Sequence, residues 1–221
     1  MALRCVGGTG VNQNQCRDLE ARLTTIHLWL SDNKLKGNPD KIEAVVFGTQ
    51  QSLRSLQLHS IRVDGYNISI SKVPIRNLGV LFDSGLSMEP HVRSVVRSAS
   101  FHLRNIGIVR KQLTDDATKR LTQAIVLSRL DYSNSTLAGI SETALEKLQL
   151  LQNRAARMVT RTKRRDHISP VLISLHWLPV RERIRYKVMM LTFKAFHGLA
   201  PPYLNSLITH YIPSRSLRSE Y

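Results

Sequence analysis

The sequence has few cysteines, few acidic residues and no long hydrophobic run. Its two cysteines, Cys5 and Cys16, do not make a disulfide framework, so a reducing compartment is the simpler expectation. No apolar run approaches the ~18 residues that a membrane-spanning helix needs, and no secretory signal pattern opens the chain. We therefore expect an intracellular protein, in the cytoplasm or the nucleus, with no membrane partner.

The shortage of acidic residues leaves the chain strongly basic. Lys and Arg number 32 against 16 Asp and Glu, a formal net charge of +16. Residues 89–221 hold 22 of the basic and 9 of the acidic residues, so nearly all of the excess lies in this part. Such a field favours a polyanionic partner, nucleic acid above all. Hydrophobic residues make up 42%, which is enough for a packed core.

The hydrophobic periodicity changes along the chain. Residues 1–15 have no pattern and are expected to be disordered. Residues 16–88 predict one helix followed by short antiparallel strands, with a tight turn at Asp64-Gly65 and a strand over residues 78–82. From Ser87 the period is helical, with N-caps predicted at Ser87, Thr114 and Ser141. The pattern indicates an α+β segment followed by an all-α region over residues 89–221.

A basic stripe is the strongest functional signal. In the helix predicted over residues 141–161, Arg154, Arg157 and Arg161 share one narrow face beside an apolar face. The helix leads into Lys163, Arg164 and Arg165. This arrangement predicts contacts to a phosphate backbone, and the alternative is a solvated helix face with a basic loop. A weaker cluster follows at Arg181, Arg183, Arg185 and Lys187.

The sequence predicts no catalytic and no metal-binding residues. The adjacent carboxylates Asp115 and Asp116 follow a predicted N-cap, where acidic residues favour the positive end of a helix. Paired metal-binding carboxylates of polymerases usually lie in a strand turn instead. His176 lies in an apolar corner and is expected to be packed rather than to bind a metal.

Several stretches in a fixed order over residues 16–218 resemble the non-LTR (LINE-type) retrotransposon reverse transcriptases. They are WL at 29–30 and NKLK at 33–36, NPDK at 38–41, NLGVLFD at 77–83, SRLDYSN at 128–134, LQLLQNRAAR at 148–157, RRDHI at 164–168, LHWLPV at 175–180 and KAFHGLAP at 194–201. The sequence departs from the family's usual pattern at Gly37, Ile42 and Ser133.

The resemblance implies a position within the parent enzyme. Residues 16–88 are similar to the end of the palm, and residues 89–221 to the thumb and the helical region beyond it. The family's catalytic Asp residues and their Mg²⁺ belong to a preceding part of the palm, which a longer product would have to supply. Lys41 is implied near the phosphates of the incoming nucleotide, and Leu78, Gly79 and Val80 at the grip on the primer end. The thumb-like helices would hold RNA, DNA or an RNA–DNA duplex.

The expected function is therefore that of a fragment of an RNA-directed DNA polymerase. It would retain template–primer binding without catalysis and without a cofactor of its own. Two alternatives stay open: a non-functional remnant of a retroelement, and a domesticated module that binds nucleic acid or another protein.

Overall fold

The structure is a computed structural model that describes residues 2–4, 13–63 and 65–209. The short strands are β1 (Ala2–Arg4), β2 (Val45–Phe47), β3 (Ser60–Val63), β4 (Tyr66–Ser69), β5 (Ile75–Asn77) and β6 (Val80–Phe82). The helices are α1 (Gln13–Asp32), α2 (Gln50–Arg54), α3 (Glu89–Val109), α4 (Asp115–Thr122), α5 (Ser128–Asp131), α6 (Glu142–Thr160), α7 (Ser169–Leu175), α8 (Val180–Phe196) and α9 (Pro202–Asn205). The fold is α+β, as predicted.

The chain divides into two compact units. One comprises Met1–Ser98 with Ile140–Ala144, and the helical unit comprises Ala99–Gly139 with Leu145–Tyr221. The predicted boundary between residues 88 and 89 coincides with the start of α3, where the hydrophobic period changes. The division of the units lies later, because the first turns of α3 belong to the first unit.

The first unit is built on hairpin β3–β4 and helix α1. Ile61, Val63 and Ile68 of the hairpin are buried with Leu19 of α1 in one hydrophobic cluster. The helix also contributes a carboxylate, because the backbone N–H of Arg62 donates to Glu20 Oε1 at 3.0 Å. Leu19 and the partly buried Leu23 thus form the face of α1 that packs on the hairpin, whereas Ile26 is 47% exposed.

The structure contradicts the predicted disorder of residues 1–15 at two points. Ala2–Arg4 forms β1 and pairs in parallel with β2, and α1 begins at Gln13 rather than at residue 16. The other residues of this segment lie outside the described residues.

Both hairpins of the first unit turn over two residues. In β3–β4, Val63 pairs with Tyr66 and Gly65 has φ +81°, as the Asp-Gly signal predicts. The second hairpin, β5–β6, was predicted only as a single strand over residues 78–82. Leu78 and Gly79 instead form its turn, with φ values of +45° and +84°. Strand β5 escapes prediction because it is three residues long and buries one of them.

The N-caps predicted at Thr114 and Ser141 are confirmed, whereas α3 begins at Glu89, so that Met88 and not Ser87 is the residue before it. Thr114 Oγ1 accepts the backbone N–H of Ala117 at 3.2 Å, so Asp115 and Asp116 stand in the first turn of α4. The cap at Ser141, which belongs to the first unit, accepts the backbone N–H of Ala144 at 3.2 Å. The single helix predicted over residues 114–134 is interrupted by a π-helical turn at Gln123–Leu127.

Arg110 connects three elements of the helical unit. It is 9% exposed and follows α3, and its guanidinium donates to Met158 O at 3.0 Å and to Val159 O at 2.9 Å. It also donates to Leu113 O at 3.1 Å and to Asp115 Oδ1 at 2.5 Å. One side chain thereby satisfies the carbonyls in the last turn of α6 and a carboxylate at the start of α4. This hydrogen bond lowers the pKa of Asp115.

We predict that Arg110→Met destabilises the helical unit by about 3 kcal/mol, because several carbonyls lose a charged donor at once. Arg110→Lys restores little of this, since an ammonium group cannot reproduce the planar fork of donors. Urea denaturation measures the change. The matched control is Arg104→Met, an exposed position on α3 that should shift the free energy of unfolding little. Equal effects of the Arg110 and Arg104 changes would contradict the assignment.

Candidate nucleic-acid interface

The basic surface is formed by the end of helix α6 and the loop that follows it. The helix stops at Thr160, and Arg161 adopts a left-handed conformation with φ +56°. A non-glycine residue in this conformation is uncommon, and here it directs the chain into the loop that ends at α7. We call Arg154, Arg161, Lys163, Arg164 and Arg165 the basic surface, because all five are exposed in the helical unit.

The loop after α6 is held by its own polar groups. The backbone N–H of Lys163 donates to Asp166 Oδ2 at 3.1 Å, and the N–H of Asp166 donates to Lys163 O at 3.2 Å. Thr160 and Thr162 join their hydroxyls at 2.7 Å. Asp166 therefore closes a tight turn, with Arg164 and Arg165 at its centre.

Arg157 has a different role from its neighbours on the predicted stripe. It is half-buried, and its guanidinium donates to Lys163 O at 3.3 Å and to Asp166 O at 3.0 Å. These are the two residues whose backbones close the turn. The guanidinium thus stabilises the basic loop from the helix, whereas Arg154, one turn earlier on α6, is exposed.

Contacts with carboxylates within the protein neutralise little of the positive charge of the basic surface. Arg161 Nε lies 3.7 Å from Asp115 Oδ1, but that carboxylate is also bonded to Arg110. Arg161 is 64% exposed at its side chain, so the contact is weak in water. Arg and Lys side chains bind phosphate oxygens through charge-assisted hydrogen bonds. The five exposed cations of the basic surface, which lie on α6 and on the closed turn after it, can therefore bind phosphates.

The weaker cluster predicted on α8 is largely engaged within the protein. Arg183 Nη1 contacts the two carboxylate oxygens of Asp131 at 2.9 and 2.7 Å, and its Nε donates to Leu178 O at 2.8 Å. Arg185 contacts Glu182 at 3.2 Å. Arg183 therefore stabilises the fold, and these contacts do not extend the basic surface onto this helix.

Two glutamines of α6 hold the corner between α7 and α8, a contact that sequence reasoning missed. Gln152 is fully buried and donates to Leu178 O at 2.7 Å, and Gln149 Oε1 accepts the N–H of Val180 at 2.9 Å. The stretches LQLLQNRAAR and LHWLPV thus meet in space. The prediction that His176 is packed is wrong: it is exposed and ends α7 in a left-handed conformation, φ +56°.

In the first unit, Lys41 lines a cavity, and Leu78, Gly79 and Val80 of hairpin β5–β6 are not among the residues that line it. Lys41 ends a 3₁₀ turn at Pro39–Lys41 and is exposed. It lines a cavity of about 300 Å³ with Glu43 and Phe47 and with side chains from hairpin β5–β6, among them Arg76 and Asn77. At the turn of that hairpin Leu78 is 84% exposed, Gly79 has positive φ and Val80 is buried.

A buried histidine contacts this hairpin, and a half-buried aspartate follows it. His91 of α3 is 4% exposed, and its Nδ1 accepts the backbone N–H of Leu81 at 3.4 Å. Burial, and then the nearby charge of Arg76, lower the pKa of His91. Burial alone would raise the pKa of Asp83, but hydrogen bonds from Ser87 and Met88 at the start of α3 outweigh it, so that the pKa is lowered.

The structure shows no candidate metal centre in the part of the chain that it describes. No three His, Cys, Asp or Glu side chains of these residues come together in an arrangement that could hold an ion. None of the described helices combines the length and the apolar character that crossing a membrane requires.

We predict that acidification loosens hairpin β5–β6 through His91. Because the folded pKa lies below the unfolded one, stability is unaffected above the ordinary histidine range, about pH 6.5, and falls as the pH drops below it. Hydrogen exchange of the hairpin amides between about pH 7 and pH 5 measures this. His91→Gln, which keeps an acceptor but does not titrate, should remove the extra loss, whereas the exposed His59→Gln should keep it. The same pH dependence in both variants would contradict the role of His91.

Comparisons with protein-family models, with curated proteins and with solved structures found no match to the chain.

Proposed function

We propose that the helical unit binds nucleic acid through phosphate contacts, as a template–primer-binding part of a LINE-type reverse transcriptase would. The observation that carries this proposal is the basic surface itself. Five exposed cations stand on α6 and a loop whose backbone is closed by Asp166 and held by Arg157. A loop already in its bound conformation loses less entropy when it binds, so its charges act together.

The form of the interface favours a duplex backbone over specific bases. Cations on a helix end and a turn can follow one phosphate strand, and such contacts position a duplex without reading its sequence. An RNA–DNA duplex is the ligand that the resemblance implies.

In the first unit, Lys41 and hairpin β5–β6 support the same reading. The resemblance implies that Lys41 approaches the nucleotide's phosphates and that Leu78, Gly79 and Val80 grip the primer end. Lys41 and Arg76 line one cavity, which gives it two cations against Glu43. Leu78 is displayed on a strained left-handed turn, a conformation that costs a non-glycine residue about 1 kcal/mol.

We propose that the chain does not polymerise by itself. In the structure Asp115 and Asp116 begin a helix, and Asp115 is bonded to Arg110. Mg²⁺-dependent chemistry in this family would require carboxylates from the preceding part of the palm.

A protein-interaction module is the second candidate, and the surface of α8 favours it. Tyr186, Met189, Phe193 and Phe196 follow one another at steps of three and four and are all exposed. If the chain is an interaction module of this kind, we expect no salt-dependent affinity for nucleic acid. The salt titration described next therefore distinguishes the two candidates. An inert remnant would also lack such affinity.

We predict that the logarithm of the affinity for a labelled RNA–DNA duplex falls with the logarithm of salt concentration at a slope of roughly −4 to −5, for about five phosphates. Changing Arg154, Lys163 and Arg164 to Ala should flatten that slope by about 3. The matched control changes three exposed cations of the first unit to Ala, namely Arg17, Arg54 and Lys72. A slope near zero, or equal slopes in the two triple variants, would refute phosphate binding by the basic surface.

Arg154 and Arg157 provide a sharper comparison, since each change removes one positive charge from the same helix. Arg157→Ala should weaken duplex binding about tenfold more than Arg154→Ala, because it also releases the loop that carries Lys163, Arg164 and Arg165. Arg157→Lys should not restore the affinity, because both carbonyls need donors from one planar group. Fluorescence anisotropy at one salt concentration measures this. Equal losses for Arg154→Ala and Arg157→Ala would show that the loop does not depend on Arg157.

A further inference from the structure

A second cavity lies in the helical unit and shares no residue with the basic surface. Its volume is about 340 Å³, within the range of small-ligand pockets. The side chains that matter for its chemistry are Asn134, His176, Leu178, Arg183, Tyr186 and Lys187.

Asn134 gives the cavity an unused hydrogen-bond acceptor. Its side chain is buried, with 5% of the residue exposed, and its Oδ1 has no hydrogen-bond partner. Most buried carbonyl groups have a donor, because burial without one is unfavourable. This oxygen is closed to solvent, so a ligand that donates an N–H reaches it only after the Asn134 side chain turns toward the cavity.

The charge of the cavity favours an anionic ligand. Arg183 is fixed at the wall by Asp131 and by the carbonyl of Leu178. Lys187 is half-buried on the next turn of α8. Arg183 and Lys187 against Asp131 leave one net positive charge among these three side chains of the cavity. A phosphate group suits this end.

Two side chains with flat rings, Tyr186 and His176, line the same cavity together with the aliphatic Leu178. The ring of Tyr186 belongs to a residue that is 62% exposed, and Leu178 is 51% exposed. The imidazole of His176 is also exposed. Nucleobases stack on aromatic side chains in this way when a strand is unpaired.

We propose that this cavity binds one unpaired nucleotide. The base lies against Tyr186, the phosphate lies beside Lys187, and a base N–H donates to Asn134 Oδ1 once that side chain turns toward the cavity. The proposal goes beyond duplex binding, because it concerns a single-stranded nucleotide and uses different residues. The two can therefore fail separately.

The test is isothermal titration of the full chain with the four nucleoside 5′-monophosphates. At least one should bind saturably, and ribose 5-phosphate, which lacks a base, should bind about tenfold more weakly. Tyr186→Ala and Asn134→Leu should each weaken the binding by about tenfold. Lys194→Ala removes an exposed cation from the same helix outside the cavity and should leave the affinity unchanged.

Three results would overturn the proposal. They are no saturable binding of any of the four nucleotides, equal binding of ribose 5-phosphate, and an unchanged affinity in Tyr186→Ala. Circular dichroism of each variant checks its fold. If Asn134→Leu does not fold, the exposed Tyr186→Ala still decides the matter.

Discussion

The helical unit depends most on the hydrogen bonds that the buried guanidinium of Arg110 donates. An α-helix ends with carbonyls that have no partner within the helix, so those in the last turn of α6 need donors from elsewhere. Arg110 donates to the carbonyls of Met158 and Val159, and the next residues along the chain begin the basic loop. The same group bonds Asp115, so that α4 begins beside the end of α6. Arg110 therefore fixes the end of α6 from which the basic loop starts, and Arg157 and Asp166 hold the loop itself.

Six arginines of this unit show two different roles. Arg110, Arg157 and Arg183 donate to backbone carbonyls, two of them also to a carboxylate, and are buried or half-buried. Arg154, Arg164 and Arg165 are exposed. The planar fork of guanidinium suits the first kind of role, which an ammonium group cannot fill in the same way. The number of basic residues in the sequence therefore overestimates the basic surface that is free to bind a polyanion.

Local signals in the sequence predict the elements well. The α+β class, the turn at residues 64–65 and the caps at Thr114 and Ser141 follow from residue types that act on their immediate neighbours. The contacts that escape prediction join distant residues. Nothing near Gln152 indicates that it bonds the carbonyl of Leu178, and the periodicity of α6 places Arg157 with Arg154 although the loop captures only the former. Periodicity assigns a face to a residue, but the partner on that face comes from the tertiary fold.

The central claim is that a preformed basic loop at the end of α6 contacts phosphates, and hydrogen exchange with and without an RNA–DNA duplex tests it most directly. The account predicts measurable protection of residues 160–167 in the free chain, because Arg157 and Asp166 close the loop, and slower exchange there when the duplex is added. Unprotected amides in the free loop, or a duplex effect confined to other segments, would contradict it.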